Sequence, residues 1–495
     1  IRYFSIIKNS RTMRKKLLFV IYIVFECHST NGFNYMGFEY LTQEFNDTVA
    51  TPFDKASSKT SWMEQPIDHF NVSDTRTWKM RYFESHDLWQ PGKPIYLFLG
   101  GEGTASPVFL RTGIMYDIAK ETGGVMYVAE HRYYGKSKPF ENYTAETLMY
   151  LSSRQALADN ARLLKQIKTL QEYKSSKVVV VGGSYSGNLA AWMKLLYPDL
   201  ISAAIASSAP VLAKADFFEY LETVSDDFEQ YGTPGCWDSI AETFARYETL
   251  FNSDDGVNTL KKEERICDDC DMKDPQNQQV FFLEKASGFM ERAQYGSTFT
   301  IKKYCESNFT AEFRKLKRTN LNWRQSDDCY SYDFDEMITS IKRIDWDTAW
   351  LWQTCTEFGY YQTGSSDNHP FTRNIPVELF YNICTKLFGQ EFDGARVQRG
   401  VKEVNDLYGG LKPNVTNVVF VNGDLDPWSR LSVLEDISYD APAQIISQSS
   451  HCRDLFSDRD EDSEELKEAR AYVKYLIKNW TGEGEYRKPV KRMFL

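Results

Sequence analysis

Short apolar runs recur along the chain, and each run ends in small or polar residues. Six runs stand out, at residues 95–99, 125–129, 178–181, 203–206, 418–421 and 443–446. Nearly continuous apolar runs of this length are typical of parallel strands that are buried on both faces. Between them, residues 146–173 place their leucines largely on one stripe, as an amphipathic helix does. This alternation predicts an α/β fold with an open sheet and right-handed crossovers.

The strand pattern stops near Pro210 and resumes near Val418, and the region between is rich in charged and aromatic residues. Such a region is typical of helices and loops rather than of a buried sheet. We therefore predict a first α/β part over residues 30–211, a helical insertion over 212–335, and a second α/β part over 336–495. The C-terminal limit of the insertion is left open as far as residue 405.

A basic and then apolar segment near the start of the chain has the layout of a secretory signal. Met13 and three basic residues precede the apolar run 17–25, and small residues follow. Nine apolar residues are too few to span a membrane. Residues 13–29 are therefore predicted to be a signal peptide, and residues 1–12 an upstream extension. The protein is therefore expected to enter the secretory pathway.

Sequons and cysteines agree with secretion. Six N-x-S/T sequons predict glycosylation, and they begin at Asn46, Asn71, Asn142, Asn308, Asn414 and Asn479. Eight cysteines follow residue 29, namely Cys236, Cys267, Cys270, Cys305, Cys329, Cys355, Cys384 and Cys452. An even number in an oxidising compartment predicts disulfides, whose pairing is left open. Cys267 and Cys270 are spaced as half of a zinc site, but no second close Cys or His pair accompanies them, so no metal is predicted.

Composition and charge narrow the class of protein. Hydrophobic residues make up 42% and aromatic residues 15% of the 495-residue chain, which excludes disorder as the dominant state. The net charge of −11 argues against a nucleic-acid partner, because phosphate binding needs a basic face. No apolar run reaches the roughly 20 residues of a membrane-spanning helix. No cofactor is predicted, and formation of a homodimer is left open.

The segment that begins at residue 177 contains the predicted nucleophile. The apolar run 178–181 leads into Gly-Gly-Ser-Tyr-Ser-Gly, and a helical pattern follows. This order is typical of the nucleophile elbow G-x-S-x-G, in which a tight turn requires small neighbours. Gly182 fits the first glycine, and Ser186 stands at the second. Ser186 as nucleophile would need glycine at positions 184 and 188, so Ser184 is the predicted nucleophile.

A serine hydroxyl needs a base that takes its proton, and with this elbow the chain order is Ser, acid, His. Of six histidines, only His369 and His451 follow Ser184. His369 lies in the irregular region and is interpreted as a surface or pocket-rim residue. His451 follows the run 443–446, where a base of this kind belongs, and is the predicted base.

The acid is expected just after the preceding strand, where Asp424 and Asp426 are both found. Pro427 restricts Asp426 to an extended backbone, which favours Asp426, but spacing alone leaves Asp424 open. The acid orients the imidazole and stabilises its cationic form without taking the proton itself.

An oxyanion hole needs two donors aimed at the developing charge. One is expected from the backbone N–H of Tyr185, the residue after the nucleophile. The other is expected from the glycine-rich loop 100–104 after the first apolar run, at Gly101. A turn without a catalytic part is the alternative for this loop.

Four separated motifs resemble those of the prolyl carboxypeptidase–dipeptidyl peptidase II family of serine peptidases. They are Gly182-Gly-Ser-Tyr-Ser-Gly187, Glu130-His-Arg-Tyr-Tyr-Gly-Lys-Ser137, Asn422-Gly-Asp-Leu-Asp-Pro-Trp-Ser429 and Ser450-His-Cys-Arg-Asp-Leu455. The segment Gln-Thr-Cys-Thr-Glu-Phe-Gly-Tyr-Tyr-Gln-Thr at 353–363 looks most like the thymus-specific serine protease branch. The similarity runs from about residue 62 to residue 480.

The resemblance implies an α/β-hydrolase fold with a helical cap inserted after the nucleophile strand, and a lysosomal, endosomal or secreted enzyme. Because seven of the eight cysteines lie between Pro210 and Val418, we expect this cap to be held by disulfides. It places the nucleophile on Ser184, the base on His451, and the acid on Asp426 rather than Asp424. Members cleave beside proline or small residues near a peptide terminus. One branch removes a C-terminal residue after proline and another removes an N-terminal dipeptide, and the resemblance does not decide between them.

An exopeptidase must bind a charged peptide terminus. Glu102 and Glu357 are candidates for holding an α-amine, with a solvated or structural acid as the alternative for each. Trp428 and the aromatic-rich segment 346–361 are candidates for a proline pocket, with a buried aromatic cluster as the alternative. The leading hypothesis is a serine exopeptidase that acts on peptides. The alternatives are an esterase or lipase on the same fold, or a catalytically silent binding protein.

Overall fold

The computed structural model describes residues 58–309 and 329–484, with side chains in the first range as far as residue 307. The predicted extension 1–12, the signal peptide 13–29 and the sequon at Asn46 lie outside the described residues. Within them the strands are β1 (Lys59–Pro66), β2 (Thr77–Ser85), β3 (Ile95–Phe98), β4 (Val125–Ala129), β5 (Val178–Gly183), β6 (Ala203–Ser207), β7 (Lys214–Asp216), β8 (Gly359–Tyr361), β9 (Val418–Gly423) and β10 (Ala443–Ile446).

Eight of these strands form one twisted sheet in the order β1-β2-β4-β3-β5-β6-β9-β10. The six strands from β4 to β10 in that order run parallel, and β1 and β2 form an antiparallel pair at one edge. Every residue of β3, β4, β5, β6 and β9 is buried, as expected for strands covered by helices on both faces. The predicted α/β fold is confirmed.

The helices of the described residues surround this sheet and fill the insertion. They are α1 (Ile114–Thr122), α2 (Ala145–Leu148), α3 (Ser153–Ile167), α4 (Tyr185–Leu196), α5 (Glu219–Tyr231), α6 (Cys236–Phe251), α7 (Asp254–Glu263), α8 (Pro275–Tyr295), α9 (Thr298–Phe309), α10 (Phe334–Ile341), α11 (Asp345–Gln353), α12 (Val377–Phe388), α13 (Gly394–Tyr408) and α14 (Glu464–Thr481).

The leucine stripe at 146–173 is divided between two helices. Residues 149–152 separate them, and the hydroxyl of Ser152 accepts a hydrogen bond from the backbone N–H of Gln155. A serine in this position satisfies an N–H that has no partner inside the helix, so α3 begins afresh after it.

The helical region between β6 and β9 is tied together by disulfides. Cys236 pairs with Cys305, Cys267 with Cys329, and Cys355 with Cys384. Because Cys267 is oxidised, the Cys267–Cys270 spacing is not half of a zinc site, and Cys270 and Cys452 are buried free thiols. β7 and β8 pair in parallel and bracket residues 217–358. The limits of the insertion, 212–335 or as far as 405, stay a prediction.

Four predicted sequon asparagines lie where a glycan has room. Asn71, Asn142, Asn414 and Asn479 are exposed, whereas the side chain of Asn308 lies outside the described residues. In the described part of the chain, no helix combines the length and the apolar character that crossing a bilayer requires. Glycosylation stays a prediction at each position.

The Cys355–Cys384 disulfide is expected to stabilise the folded chain. It joins residues 29 apart in sequence, and removing such a cross-link restores entropy to the unfolded chain. The double variant Cys355→Ser/Cys384→Ser should lose about 2–4 kcal/mol of unfolding free energy, measured by urea denaturation.

The matched control is Cys270→Ala, which removes a buried free thiol without opening a loop. It should cost about 1 kcal/mol. A double variant that costs no more than this control would contradict a stabilising disulfide.

Candidate active site

Ser184 lies at a sharp turn between β5 and α4. Its main-chain angles are φ 58° and ψ −134°, and a positive φ at a residue with a side chain costs about 1–3 kcal/mol. The Ser184 N–H donates to the carbonyl oxygen of Ser207 at 3.0 Å, which ties the turn to β6. Among residues 180–190, Ser184 alone is not buried. The strained turn therefore leaves the Ser184 side chain partly accessible, whereas its neighbours are buried.

The residues beside Ser184 leave no room for larger side chains. A Cβ on Gly182 would lie 1.9 Å from the carbonyl oxygen of Ser186, and a Cβ on Gly183 would lie 2.9 Å from Cys452 Sγ. The Ser186 hydroxyl is buried and bonds with both the N–H and the carbonyl oxygen of Gly183, each at 2.9 Å. The Ser186 hydroxyl thus stabilises the backbone of the turn.

His451 and Asp426 form a buried pair. His451 Nδ1 lies 2.7 Å from Asp426 Oδ2, and both side chains are fully buried. Asp426 also accepts a hydrogen bond from the N–H of Trp428 at 3.0 Å, as the cap of a short 3₁₀ helix that begins at Pro427. Asp424 is exposed and bonds instead with the Ser447 hydroxyl at 3.2 Å. Of the two candidate acids, Asp426 is the one that contacts His451.

The loops that carry these residues meet at the carboxyl ends of the central strands. A Cβ on Gly423 would lie 1.9 Å from the carbonyl oxygen of Ser449, so the acid loop passes directly against the histidine loop. The N–H of Cys452 donates to the Ser208 hydroxyl at 2.9 Å, which anchors the histidine loop beyond β6. Together with the contact of Gly183 with Cys452, this brings the turn at Ser184 against the loop of His451.

The second ring nitrogen of His451, Nε2, is buried and has no hydrogen-bond partner among the described residues. Burial by itself lowers the pKa of His451, but the charge of Asp426, the neighbouring Cys452 and the hydrogen bond with Asp426 together outweigh burial, so the pKa lies well above its usual value. Tyr295 packs edge-on against the imidazole, with 5.9 Å between the ring centroids. The backbone N–H of His451 donates to the main-chain carbonyl oxygen of Gln294. The end of α8 thus holds the imidazole from the insertion side.

The loop after β3 lies beside the turn at Ser184. A Cβ on Gly101 would lie 3.3 Å from Ser186 Cβ, and a Cβ on Gly100 would lie 2.6 Å from the carbonyl oxygen of Ala129. The glycines therefore allow this loop to approach the start of α4 closely. Tyr185 is the first residue of α4, where a backbone N–H has no acceptor within the helix.

The two predicted substrate carboxylates have different surroundings. Glu102 is buried in the loop after β3, and its Oε2 has no hydrogen-bond partner among the described residues. Glu357 is bonded by Ser153, whose N–H reaches both carboxylate oxygens at 3.0 Å and whose hydroxyl reaches Oε1 at 2.6 Å. Burial raises the pKa of each carboxyl to about 7.

A buried polar network lies behind the turn at Ser184. The Tyr185 hydroxyl bonds with His131 Nε2 at 3.0 Å and with Gln353 Nε2 at 2.9 Å. The side-chain oxygen Oε1 of Gln353 accepts a hydrogen bond from the Tyr134 hydroxyl at 2.7 Å. Burial lowers the pKa of His131 to about 4, so its ring is neutral at neutral pH. These hydrogen bonds hold the side chain of Tyr185, whose backbone N–H is the first of α4.

Trp428 belongs to an aromatic cluster between the acid loop and the insertion. Its ring lies 5.5 Å from Phe217, 5.6 Å from Tyr220 and 5.4 Å from Tyr360. Trp428 and Tyr360 are buried, as is Trp350 in α11. Of the predicted aromatic segment, Tyr360 therefore packs against Trp428, which follows Asp426 by two residues.

Two buried acids near the site were not predicted. Asp454 accepts a hydrogen bond from Ser207, and burial raises its pKa to about 6. Asp227 in α5 is buried near Asp424 and Asp426, and burial, followed by the charge of Asp424, raises its pKa to about 9. Asp454 lies within the motif 450–455, whereas no sequence signal marks Asp227. His369, predicted at the surface or a pocket rim, is 8% exposed and packs against Phe371.

The strand order and the strained serine between a strand and a helix define an α/β-hydrolase. Residues 65–473 match the family described as serine carboxypeptidase S28. The chain belongs to that family and is a serine peptidase, which confirms the predicted resemblance.

Relatives in this family cover most of the chain. The thymus-specific serine protease of Mus musculus is 32% identical over 450 residues, which are 86% of this chain and 88% of that protein. The lysosomal Pro-X carboxypeptidase of Homo sapiens is 29% identical over 447 residues, 85% of this chain and 87% of that protein. Among solved structures, a proline iminopeptidase of Mycobacterium smegmatis aligns with a TM-score of 0.39 and 13% identity, covering 85% of this chain and 99% of that one.

Proposed function

We propose that the chain hydrolyses peptide bonds near a peptide terminus through Ser184, His451 and Asp426 and an acyl-enzyme. The observation that carries the proposal is the buried 2.7 Å contact between His451 and Asp426, which leaves Nε2 available on a loop that touches the turn at Ser184. This arrangement matches the general pattern of nucleophile, base and orienting acid.

The chemistry follows from these positions. Ser184 Oγ attacks the scissile carbonyl carbon while His451 Nε2 takes the hydroxyl proton, and Asp426 stabilises the resulting imidazolium. The N–H groups of Tyr185 and Gly101 bind the oxyanion. When the C–N bond breaks, His451 gives its proton to the leaving amine. Water then attacks the acyl-enzyme, again with His451 as base, and releases the acid product and the free serine.

A preference for cleavage after proline or a small residue is part of the proposal. Trp428 follows Asp426 by two residues and is the candidate aromatic surface for a proline ring, with the fully buried Tyr360 packed behind it. A relative named Pro-X carboxypeptidase supports proline on the acyl side of the bond. Disulfides and predicted sequons support passage through the oxidising secretory pathway, and the name of the same relative supports a lysosomal, endosomal or extracellular destination.

Replacing Ser184 by alanine should abolish turnover. In Ser184→Ala, kcat for proline-containing peptides should fall by about a million-fold, because no other group at the turn supplies the nucleophile. The same assay should compare the wild type on these peptides and on short acyl esters. Turnover of esters alone would identify an esterase, and turnover of neither would leave a binding protein. Near-normal peptide turnover by Ser184→Ala would show that another residue is the nucleophile.

The two neighbouring aspartates form a matched pair for testing the acid. Asp426→Asn should lower kcat by about 10⁴-fold, because an amide can hold the wrong tautomer of His451 and cannot stabilise its cation. Asp424→Asn changes an exposed side chain and should alter kcat by no more than about twofold. The opposite order of effects would assign the acid to Asp424.

A further inference from the structure

Glu102 is a buried carboxyl group with an unsatisfied oxygen in the loop beside the turn at Ser184. Glu102 is 6% exposed, and its Oε2 has no hydrogen-bond partner among the described residues. Leaving a buried carboxylate oxygen without a partner is unfavourable by several kcal/mol on the usual scale. An oxygen in this state is suited to a ligand that brings its own donor.

The position of Glu102 is close to the reacting groups. The preceding residue, Gly101, lies against Ser186 at the start of α4. The charge of His451 acts on the Glu102 carboxyl, and Glu102 in turn contributes, after burial, to the raised pKa of the hydroxyls of Tyr134, Tyr295 and Tyr360. Tyr295 also packs on the ring of His451. Glu102 therefore lies within electrostatic reach of the base and among the aromatic side chains around it.

The electrostatics of Glu102 favour a cationic ligand. Burial raises its pKa to about 7, and a hydrogen bond from its own backbone, followed by the charge of His451, partly opposes this rise. An ammonium group would supply both the missing donor and the missing charge. The carboxylate of a peptide C-terminus would instead meet a like charge in a buried site, which is unfavourable.

Glu357 shows the contrast within the same molecule. Burial raises its pKa to about 7 as well, but Ser153 and Gln353 donate to its oxygens. Those bonds make Glu357 part of the internal network behind Tyr185. Of the two candidate carboxylates, Glu102 is the one with an oxygen left for substrate.

We propose that Glu102 Oε2 binds the free α-ammonium group of the peptide, so that the enzyme recognises the N-terminus and releases a short N-terminal fragment. The inference rests on the proposed function, because the fragment leaves through the acyl-enzyme on Ser184. A blocked amine or an extended chain on that side would place an uncharged group against the Glu102 carboxylate.

The pentapeptide Ala-Pro-Ala-Pro-Phe tests the choice of terminus in the wild-type enzyme. Recognition of the N-terminus releases Ala-Pro, whereas recognition of the C-terminus releases Phe, and mass spectrometry separates the products. N-acetylation should lower kcat/KM by about 100-fold or more, as expected when one partner of a buried charge pair is lost. Amidation of the C-terminus should change it little. Release of Phe, abolished by amidation, would overturn the proposal.

Glu102→Gln separates the two protonation states of the carboxyl. Glutamine imitates a protonated acid, so a site that donates to a substrate carboxylate would keep its activity, whereas a site that binds an ammonium would lose it. We expect kcat/KM for the free-amine peptide to fall about 100-fold, with the penalty for N-acetylation largely gone. The control Glu357→Gln should retain that penalty. An unchanged penalty in Glu102→Gln would contradict the assignment.

The ratio of kcat/KM for the free and the acetylated peptide should also depend on pH. The carboxylate form of Glu102 is present above its pKa and is lost as pH falls, so the ratio should decline below about pH 7. It should decline again above about pH 8, where the peptide amine loses its proton. Because His451 serves both peptides, its titration cancels in the ratio. A ratio that rises towards acid pH would contradict a carboxylate–ammonium contact.

Labelling with a fluorophosphonate distinguishes failure of the proposed peptidase function from failure of the proposed role of Glu102. A wild type that neither labels nor cleaves the pentapeptide would refute the proposed function itself. A wild type that labels on Ser184 and cleaves only at the C-terminal end would refute the role of Glu102 alone. The wild-type comparison of acetylated and amidated peptides needs no variant, so it stands even where Glu102→Gln does not fold.

Discussion

The close approach of the turn at Ser184 to the loop of His451 is the contact on which the candidate site depends. Gly183 has no room for a side chain because Leu455 and Cys452, both just after His451, lie directly against it. The positive φ of Ser184 is unfavourable, and the bond from Ser184 to Ser207 and the bonds between Ser186 and Gly183 offset that cost. The parallel strands make the contact available, since their carboxyl ends, where these loops begin, share one edge of the sheet.

Several buried carboxyl groups lie near this contact. Their pKa values differ, so they do not all carry a charge at the same pH. Burial raises the pKa of Asp454 to about 6, of Glu102 to about 7 and of Asp227 to about 9. At neutral pH Asp227 is therefore uncharged and adds no further negative charge near Asp426. Groups with such perturbed pKa values concentrate at functional sites, where desolvation strengthens the electrostatic interactions of each charge. In the proposed mechanism, Asp426 orients the imidazole of His451 and Glu102 binds the α-ammonium group of the substrate.

Six strands of the sheet were predictable from sequence because burial on both faces leaves a continuous apolar run. β4 and β10 have the predicted limits, and the other four differ by one or two residues. β1 and β2 were missed because this edge pair mixes exposed and buried positions and carries no such run. Contacts between distant residues were not predictable either. Ser153, which satisfies Glu357, lies 204 residues from it, and nothing local to either residue encodes the pairing.

A crystal structure of the enzyme inactivated by a fluorophosphonate tests the central claim most directly. The phosphorus atom should be bonded to Ser184 Oγ, with one phosphoryl oxygen about 2.7–3.1 Å from the backbone nitrogens of Tyr185 and Gly101. Nε2 of His451 should face the same adduct. An adduct on Ser186 or elsewhere, or an adduct on Ser184 with His451 turned away from it, would contradict the proposed site.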